Sequence, residues 1–190
     1  MTDNGVILEG QLRECYGRVV YSHKTHEKCA DILLKRHNRI KIYQILISAV
    51  VTGGLIAALF DFGALAAYKK LGAYFAVLLS TILLVLNSYT KDYDLGEIAQ
   101  KHRQAGADLW IIREKYLSLL TDLRMEVLSL DAVRSQRDQL VDDLHTVYTG
   151  APNTNHKAYV EAQKALKELE DMTFSDDEID AFLPKELKRK

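Results

Sequence analysis

The chain has 190 residues and a formal net charge of −1, with 25 Lys and Arg against 26 Asp and Glu. This balance lacks the dense basic clustering of nucleic-acid-binding proteins, so no nucleic acid partner is expected. The average also hides a split, because an almost uncharged stretch lies between a mildly basic amino-terminal arm and an acidic carboxy-terminal arm, and each part is therefore interpreted by itself.

The first arm, residues 1–41, is predicted to form one helix that continues into the apolar stretch, because residues 6–41 contain no proline. Its apolar side chains follow a spacing of four and three, typical of a seam that packs against a partner helix. His26 interrupts this seam, in either a packing role or a pH-sensing role. Cys15 and His26 lie about 16 Å apart along such a helix, too far to share one zinc ion, so no metal site is predicted. The seam consists of Leu8, Leu12, Cys15, Val19, Ser22, His26, Cys29 and Leu33.

Two uncharged segments, residues 42–60 and 71–89, organise the whole chain. Each has 19 residues. A helix of that length spans about 28 Å, close to the ~30 Å hydrocarbon thickness of a bilayer. Neither segment has the charged face of a helix on a soluble protein. A helical hairpin buried in a soluble core is the alternative, but the charged flanks leave too little chain to wrap it. The sequence therefore predicts a transmembrane hairpin over 42–89.

The orientation of this hairpin is predicted from the positive charges near the span ends. A basic cluster directly precedes the first span, whereas the connector holds only Lys69 and Lys70. Because cytoplasmic flanks carry the excess of Lys and Arg, both termini are expected in the cytoplasm and the connector outside. The cluster consists of Lys35, Arg36, Arg39 and Lys41.

A line of small residues runs along the first span. Ala49, Gly53 and Ala57 recur at every fourth position. Small side chains allow helix backbones to approach closely in lipid, so this line is a candidate packing face. Its partner is either the second span or another chain.

A polar line runs along the first span as well and is followed by apolar residues at helical spacing. One interpretation is that the hydroxyls bond to their own backbone carbonyls and that Asn87 caps a helix end. The other is a pore with a wet inner half and a dry outer constriction. The candidate pore-lining residues are Gln44, Ser48, Thr52, Leu55, Leu59, Ser80, Thr81 and Asn87.

Residues 90–190 are predicted to be helical and cytoplasmic. An unbroken spacing of three and four predicts a long amphipathic helix after the second span. It is expected to break around residues 125–129, where Ser129 is a candidate N-cap for a helix from residue 130 to about 147. A loop at 149–154, a helix over about 156–171 and a last helix with a capping box of Ser175 and Glu178 follow. The seam of the long helix consists of Leu95, Ile98, His102, Ala105, Leu109, Ile112, Tyr116, Leu119 and Leu123.

Motifs of catalysis and phosphate binding are missing from the sequence. It contains no Gly-rich phosphate loop, no HExxH, no GxSxG and no paired Cys motif. Trp110 beside Arg113 suits either packing or the stacking of a nucleobase. Neither an enzyme nor a cofactor is therefore expected.

Four strings carry a likeness to a known family. They are LLKRHNRIKIYQ entering the first span, NSYTKDYDLG leaving the second, HRQAGADLWIIREKYLSLLTDL in the long helix and AYVEAQKALKELEDMTFSDDEIDAFLP in the tail. In order and spacing they resemble the SLATT family, two-transmembrane effector domains associated with SMODS nucleotide synthases and SLOG nucleotide sensors. The resemblance covers nearly the whole chain.

This resemblance implies an all-α effector of a bacterial anti-phage or conflict system in the inner membrane. Such an effector is expected to form homo-oligomers and to permeabilise the membrane as a pore, leading to abortive infection. The implied input is a nucleotide second messenger or a neighbouring sensor or synthase protein. The resemblance fixes no ligand-site residues. The alternatives are a membrane-anchored coiled-coil adaptor that recruits a cytoplasmic partner without conducting, and a toxin that disrupts the bilayer without an ordered pore.

Overall fold

The computed structural model describes residues 3–59 and 69–189, without the side chains of residues 57–59 and 69–70. Throughout these residues the regular elements are helical, so the predicted all-α class is confirmed. The predictions made for connector residues 61–68 lie outside the described residues. The helices are α1 (Asp3–Leu59), α2 (Lys69–Asp92), α3 (Leu95–Arg124), α4 (Leu130–Gly150), α5 (His156–Lys167) and α6 (Asp176–Phe182), followed by a 3₁₀ turn at Lys185–Leu187.

Helix α1 extends over 57 residues, from the amino-terminal arm through the first apolar segment. The prediction of one helix that continues into the first span is confirmed. Both prolines of the chain, Pro152 and Pro184, lie far beyond it, so every residue of α1 keeps its backbone donor.

Residues 3–29 and 102–189 belong to one compact unit. Its core forms where the seam of α1 packs against the seam of α3, and α4 adds two side chains. Each fully buried Leu or Val in such a core contributes about 1.5–3 kcal/mol relative to exposure. The partner that the amino-terminal seam requires is thus a helix of the same chain. The buried core residues are Leu8, Leu12, Val19, Leu109, Ile112, Tyr116, Leu119, Leu123, Val133 and Leu140.

Residues 30–101 belong to a second unit, which contains the two apolar segments. Both segments are long and apolar enough to cross a membrane, and none of either apolar window is buried within the described chain. A helix from the core of a soluble protein would be largely buried, because leaving a Leu or Ile in water forfeits about 1.5–3 kcal/mol. The exposure disagrees with the buried-hairpin alternative and agrees with contact to lipid. The predicted division at residues 41 and 89 follows the span ends and stays a prediction.

A short break at Tyr93 and Asp94 separates α2 from α3, which the sequence analysis did not predict. The Asp94 carboxylate accepts hydrogen bonds from the backbone N–H groups of Gly96 (2.8 Å) and Glu97 (3.0 Å). Two donors at the start of α3 are thereby satisfied, as an N-cap requires. These bonds, that to Glu97 first, lower the pKa of Asp94.

The predicted break after α3 is confirmed. Helix α3 ends at Arg124, Glu126 has a left-handed backbone (φ 54°), and Ser129 caps α4 by accepting from the Ala132 backbone N–H. Helix α4 then continues to Gly150, slightly beyond the predicted end. After Leu123 the spacing of the apolar seam shifts by one residue. This shift is the sequence signal of the break, because a displaced seam no longer faces the same core.

The last two helices begin where predicted. Helix α5 ends at Lys167 rather than near residue 171, because Glu170 (φ 52°) and Met172 (φ 73°) adopt the left-handed region that a right-handed helix excludes. Helix α6 is preceded by the predicted capping box, in which Ser175 and Glu178 each accept from the backbone of the other.

Candidate functional site

The first span contacts the second through a polar cluster. The Gln44 Nε2 group donates to the Asn87 side-chain oxygen (3.0 Å) and to the Thr90 hydroxyl (3.2 Å). Ser48 instead donates to the backbone carbonyl of Gln44, at 2.7 Å. Hydrogen bonds of this kind help to hold helices together where water is absent. Gln44 therefore marks the side of α1 that contacts α2.

The predicted pore-lining residues fall into two groups. Gln44 and Ser48 are partly buried, and Asn87 joins the Gln44 cluster. The others whose side chains are described lie exposed on the single chain, with Thr81 bonded to the Val77 carbonyl, as one of the two interpretations expected. The side chain of Leu59 lies outside the described residues. Their lining of a pore stays a prediction. The exposed group is Thr52, Leu55, Ser80 and Thr81.

The small-residue line lies on a different side of α1. Gly53 follows Gln44 by nine residues, which at about 100° per residue places it on the opposite side of the helix. Ala49 and Gly53 are exposed, and a Cβ added to Gly53 would meet nothing within 4 Å. The side chain of Ala57 lies outside the described residues. Helix α2 therefore does not cover the face at Gly53, which remains free for lipid or for another chain.

Aromatic and basic side chains lie where the spans are expected to meet the cytoplasmic membrane surface. The Arg36 guanidinium donates to the Tyr89 hydroxyl (3.3 Å), and the rings of Tyr89 and Tyr93 stack with centroids 5.4 Å apart. Tyrosine suits this zone because its ring is apolar and its hydroxyl is polar.

A second notable group, which the sequence analysis did not predict as a cluster, is formed by three buried histidines in the first unit. The His26 and His102 rings meet through their Nδ1 atoms, 2.9 Å apart. His23 Nδ1 donates to the Gly106 carbonyl, at 2.8 Å. The exposed fractions of His23, His26 and His102 are 6%, 3% and 2%. Since a hydrogen bond needs one donor and one acceptor, only one of the two Nδ1 atoms in the pair carries a proton.

Burial keeps this histidine pair uncharged at neutral pH. Burial first, and then the neighbouring His102 and His23, lower the pKa of His26 to about 4. Burial also lowers the pKa of His102. Among the described residues no carboxylate contributes to the pKa of either ring, so nothing there offsets the hydration that a charge would lose, and the neutral form is favoured.

Among the described residues, no group of three His, Cys, Asp or Glu side chains is placed to hold a metal ion. Cys29 is buried and accepts from the Asn155 side-chain amide at 3.7 Å, and burial raises the pKa of its thiol. The two cysteines are free thiols.

Comparison with known proteins gives one result. Residues 8–178 match the model of the SMODS and SLOG-associating 2TM effector domain family 4. No curated protein and no solved structure gives a significant match. The family match covers most of the chain and includes both apolar segments.

Proposed function

Because the chain belongs to the SMODS and SLOG-associating 2TM effector domain family and is a membrane effector of conflict systems, we propose that it acts as a homo-oligomeric pore. Two helices cannot enclose an aqueous path, so several copies are required. The assembled spans would permeabilise the bacterial inner membrane once a signal arrives.

The observation that carries this proposal is the free face of α1. The face with Ala49 and Gly53 points away from the side that contacts α2, and both residues are exposed. In lipid, where burial of apolar area no longer drives association, a face of small residues favours close approach to another helix. A second copy of the chain is the proposed occupant.

The proposed orientation places both termini in the cytoplasm and the connector outside. It is supported by the basic cluster of residues 35–41, whose cations lie directly before the first span. The cytoplasmic helices would then receive the signal, either as a nucleotide second messenger or from a neighbouring sensor or synthase protein. No catalytic role is proposed for this chain.

Reconstitution tests the proposal. Purified full-length protein is placed in liposomes at increasing protein-to-lipid ratio, with dye release and single-channel current as readouts. If the protein forms a pore, dye release increases more steeply than in proportion to the protein-to-lipid ratio, and the current changes in steps of fixed size. Absence of both release and current would support the adaptor alternative, and release without fixed steps would indicate general disruption of the bilayer.

A further inference from the structure

A cavity of about 350 Å³ lies in the first unit. Helix α1, the end of α4, the loop at 151–154 and α5 surround it. On one side the Tyr148 hydroxyl donates to the Ser22 hydroxyl, at 2.8 Å. On the other side Tyr21 stacks on Tyr159, with ring centroids 6.0 Å apart and planes inclined by 30°. The volume lies at the lower end of the range of small-molecule sites, about 300–1,000 Å³.

The lining of this cavity selects for uncharged polar ligands. In the described part of the chain it contains no Asp, Glu, Lys or Arg, so a phosphate or carboxylate group would find no oppositely charged partner. It offers aromatic surface from three tyrosines and hydrogen-bonding groups from Ser22 and Asn153. A flat ring with polar edge atoms fits such a surface, since aromatic faces stack and hydroxyl and amide groups pair with the ring edges.

His26 connects the cavity to α3. It is 97% buried, lines the cavity, and has its Nδ1 atom occupied by His102. Its remaining hydrogen-bonding atom is Nε2. When His26 is protonated on Nδ1, its Nε2 accepts a hydrogen bond, and His102 carries its proton on Nε2. In the other tautomer His102 is protonated on Nδ1, and His26 carries its proton on Nε2, which then donates. A ligand that bonds to Nε2 therefore selects the tautomers of both rings.

We propose that this cavity binds a small uncharged aromatic heterocycle bearing hydrogen-bonding groups, and that His26 transmits the binding to His102 on α3 by a change of tautomer. This inference goes beyond the pore proposal and does not depend on it. Binding takes place in the first unit and is measurable whether or not the spans conduct.

Nicotinamide and nicotinate are the matched probes, because they share one ring and one size and differ in charge. The detergent-solubilised full-length protein is titrated with each at pH 7.5 and followed by NMR. At the affinity per atom typical of drug-sized ligands, the nine non-hydrogen atoms of nicotinamide give a Kd of about 10 mM. Nicotinate should bind at least about tenfold more weakly, since its carboxylate is left unpaired. No saturable binding of nicotinamide, or equal binding of nicotinate, would overturn the proposed ligand class.

Two neighbouring variants on α5 localise the binding. Tyr159 and Val160 are exposed to the same extent, 45% and 47%, but only Tyr159 lines the cavity. Tyr159→Ala should weaken nicotinamide binding about fivefold or more, as loss of an aromatic stacking contact does. Val160→Ala should leave it unchanged. Equal affinity of the two variants, with both folded by circular dichroism, would place the binding elsewhere and refute the site.

The imidazole ¹⁵N shifts of His26 and His102 report the second half of the proposal. An amide N–H of nicotinamide that donates to His26 Nε2 requires the proton of His26 on Nδ1, so His102 moves towards the Nε2–H tautomer. The expected result is a saturable ¹⁵N change at both rings with the same midpoint as binding. Saturable binding without a change at His102 would show that the pair does not transmit it.

Discussion

The pairing of His26 with His102 shows how a polar group is tolerated in the core of the first unit. Each imidazole satisfies the Nδ1 atom of the other at 2.9 Å, and both rings are almost fully buried. Removing one ring would leave the other with a buried unsatisfied nitrogen, which costs about 1–3 kcal/mol. Replacing both by apolar residues avoids that cost. Their contribution to stability therefore depends on the pair remaining neutral.

This dependence predicts acid sensitivity. Burial, His102 and His23 lower the pKa of His26 to about 4, against 6.5 for an exposed histidine, so between these values the unfolded chain binds the proton first. The stabilisation is present above pH 6.5 and is lost as pH falls towards 4. The full shift corresponds to about 3 kcal/mol. The lowered pKa of His102 acts in the same direction.

Charged side chains lie close to the histidine cluster. On α1, Lys24 pairs with Glu27 (3.0 Å) and with Asp171 (3.2 Å), and Glu27 also lies 3.6 Å from His23. Tyr148 and Tyr159 line the cavity together with His26. The thermal midpoint from circular dichroism should fall between pH 7 and pH 5, and the double variant His26→Leu with His102→Leu should flatten that fall. Replacing exposed His145 by Gln is the control; an equally steep fall in the double variant would contradict the assignment.

The apolar spacing of the sequence places His26 and His102 in two predicted seams but does not predict that the two rings contact each other. His26 and His102 each occupy one position of a predicted seam, and the fold pairs those two seams. The pairing joins positions 76 residues apart, so it depends on which helices meet and on their register. Local spacing determines neither of these, whereas it does determine which face of each helix is buried.

At the scale of the element, α1 presents different chemistry on its two sides. One side contacts α2 through Gln44, and the opposite side presents Gly53 with open space around its Cα. The predicted small-residue line left its partner undetermined, and the structure excludes α2 from the face at Gly53. Lipid and a second copy remain as occupants, and they differ in what a larger side chain would do.

The variant Gly53→Leu distinguishes a face that contacts lipid from a face that contacts a second copy of the chain. A leucine on an interchain face would hold the backbones apart and weaken association. On dilution in detergent, the protein concentration at which half of the oligomer has dissociated should therefore be at least about tenfold higher for the variant than for the wild type. Analytical ultracentrifugation at several concentrations measures this. Gly54→Leu is the matched control, because it makes the same change on the next residue, about 100° around the helix and likewise with nothing within 4 Å. If both variants associate like the wild type, the Gly53 face contacts lipid.

Helix boundaries show which local signals suffice. The end of α3 was predictable because the seam shifts and Ser129 supplies a cap. The break at Tyr93 and Asp94 was not, although Asp94 followed by Gly96 is a usable signal, because residues 87–94 form a mostly polar stretch without an apolar seam whose shift would mark a break. The early end of α5 depends on left-handed Glu170 and Met172, which sequence alone does not favour there.

At the scale of the whole molecule, the transmembrane topology decides whether the proposed cytoplasmic helices can receive the signal. A cysteine placed at Gly63, in the connector, should react with an impermeant thiol reagent in intact cells, and Ser118→Cys should react only after lysis. Ser118 is a better cytoplasmic reporter than the native thiols, because Cys29 is buried and would be protected in either orientation. The native cysteines are therefore replaced by alanine. Labelling of Ser118→Cys from outside would reverse the proposed topology.

Conduction is the property that only the assembled molecule can have, and Leu55 tests how it is gated. Leu55 follows Gln44 by eleven residues, which at about 100° per residue returns it to within about 20° of the same side of α1. If this side lines the path, polar residues wet its inner half and leucines keep the outer half dry. Leu55→Asn should let water persist there, so cells expressing the variant should take up dye and stop growing without any infection signal. Thr52→Leu should extend the dry zone and silence the effector.

Val50→Asn is the control, because Val50 is as exposed as Leu55 (58% and 56%) but lies about 120° away from Gln44. At equal membrane levels, a leak in Leu55→Asn alone supports a dry gate on this side. Tight membranes in both Asn variants would mean that Leu55 does not line the conduction path.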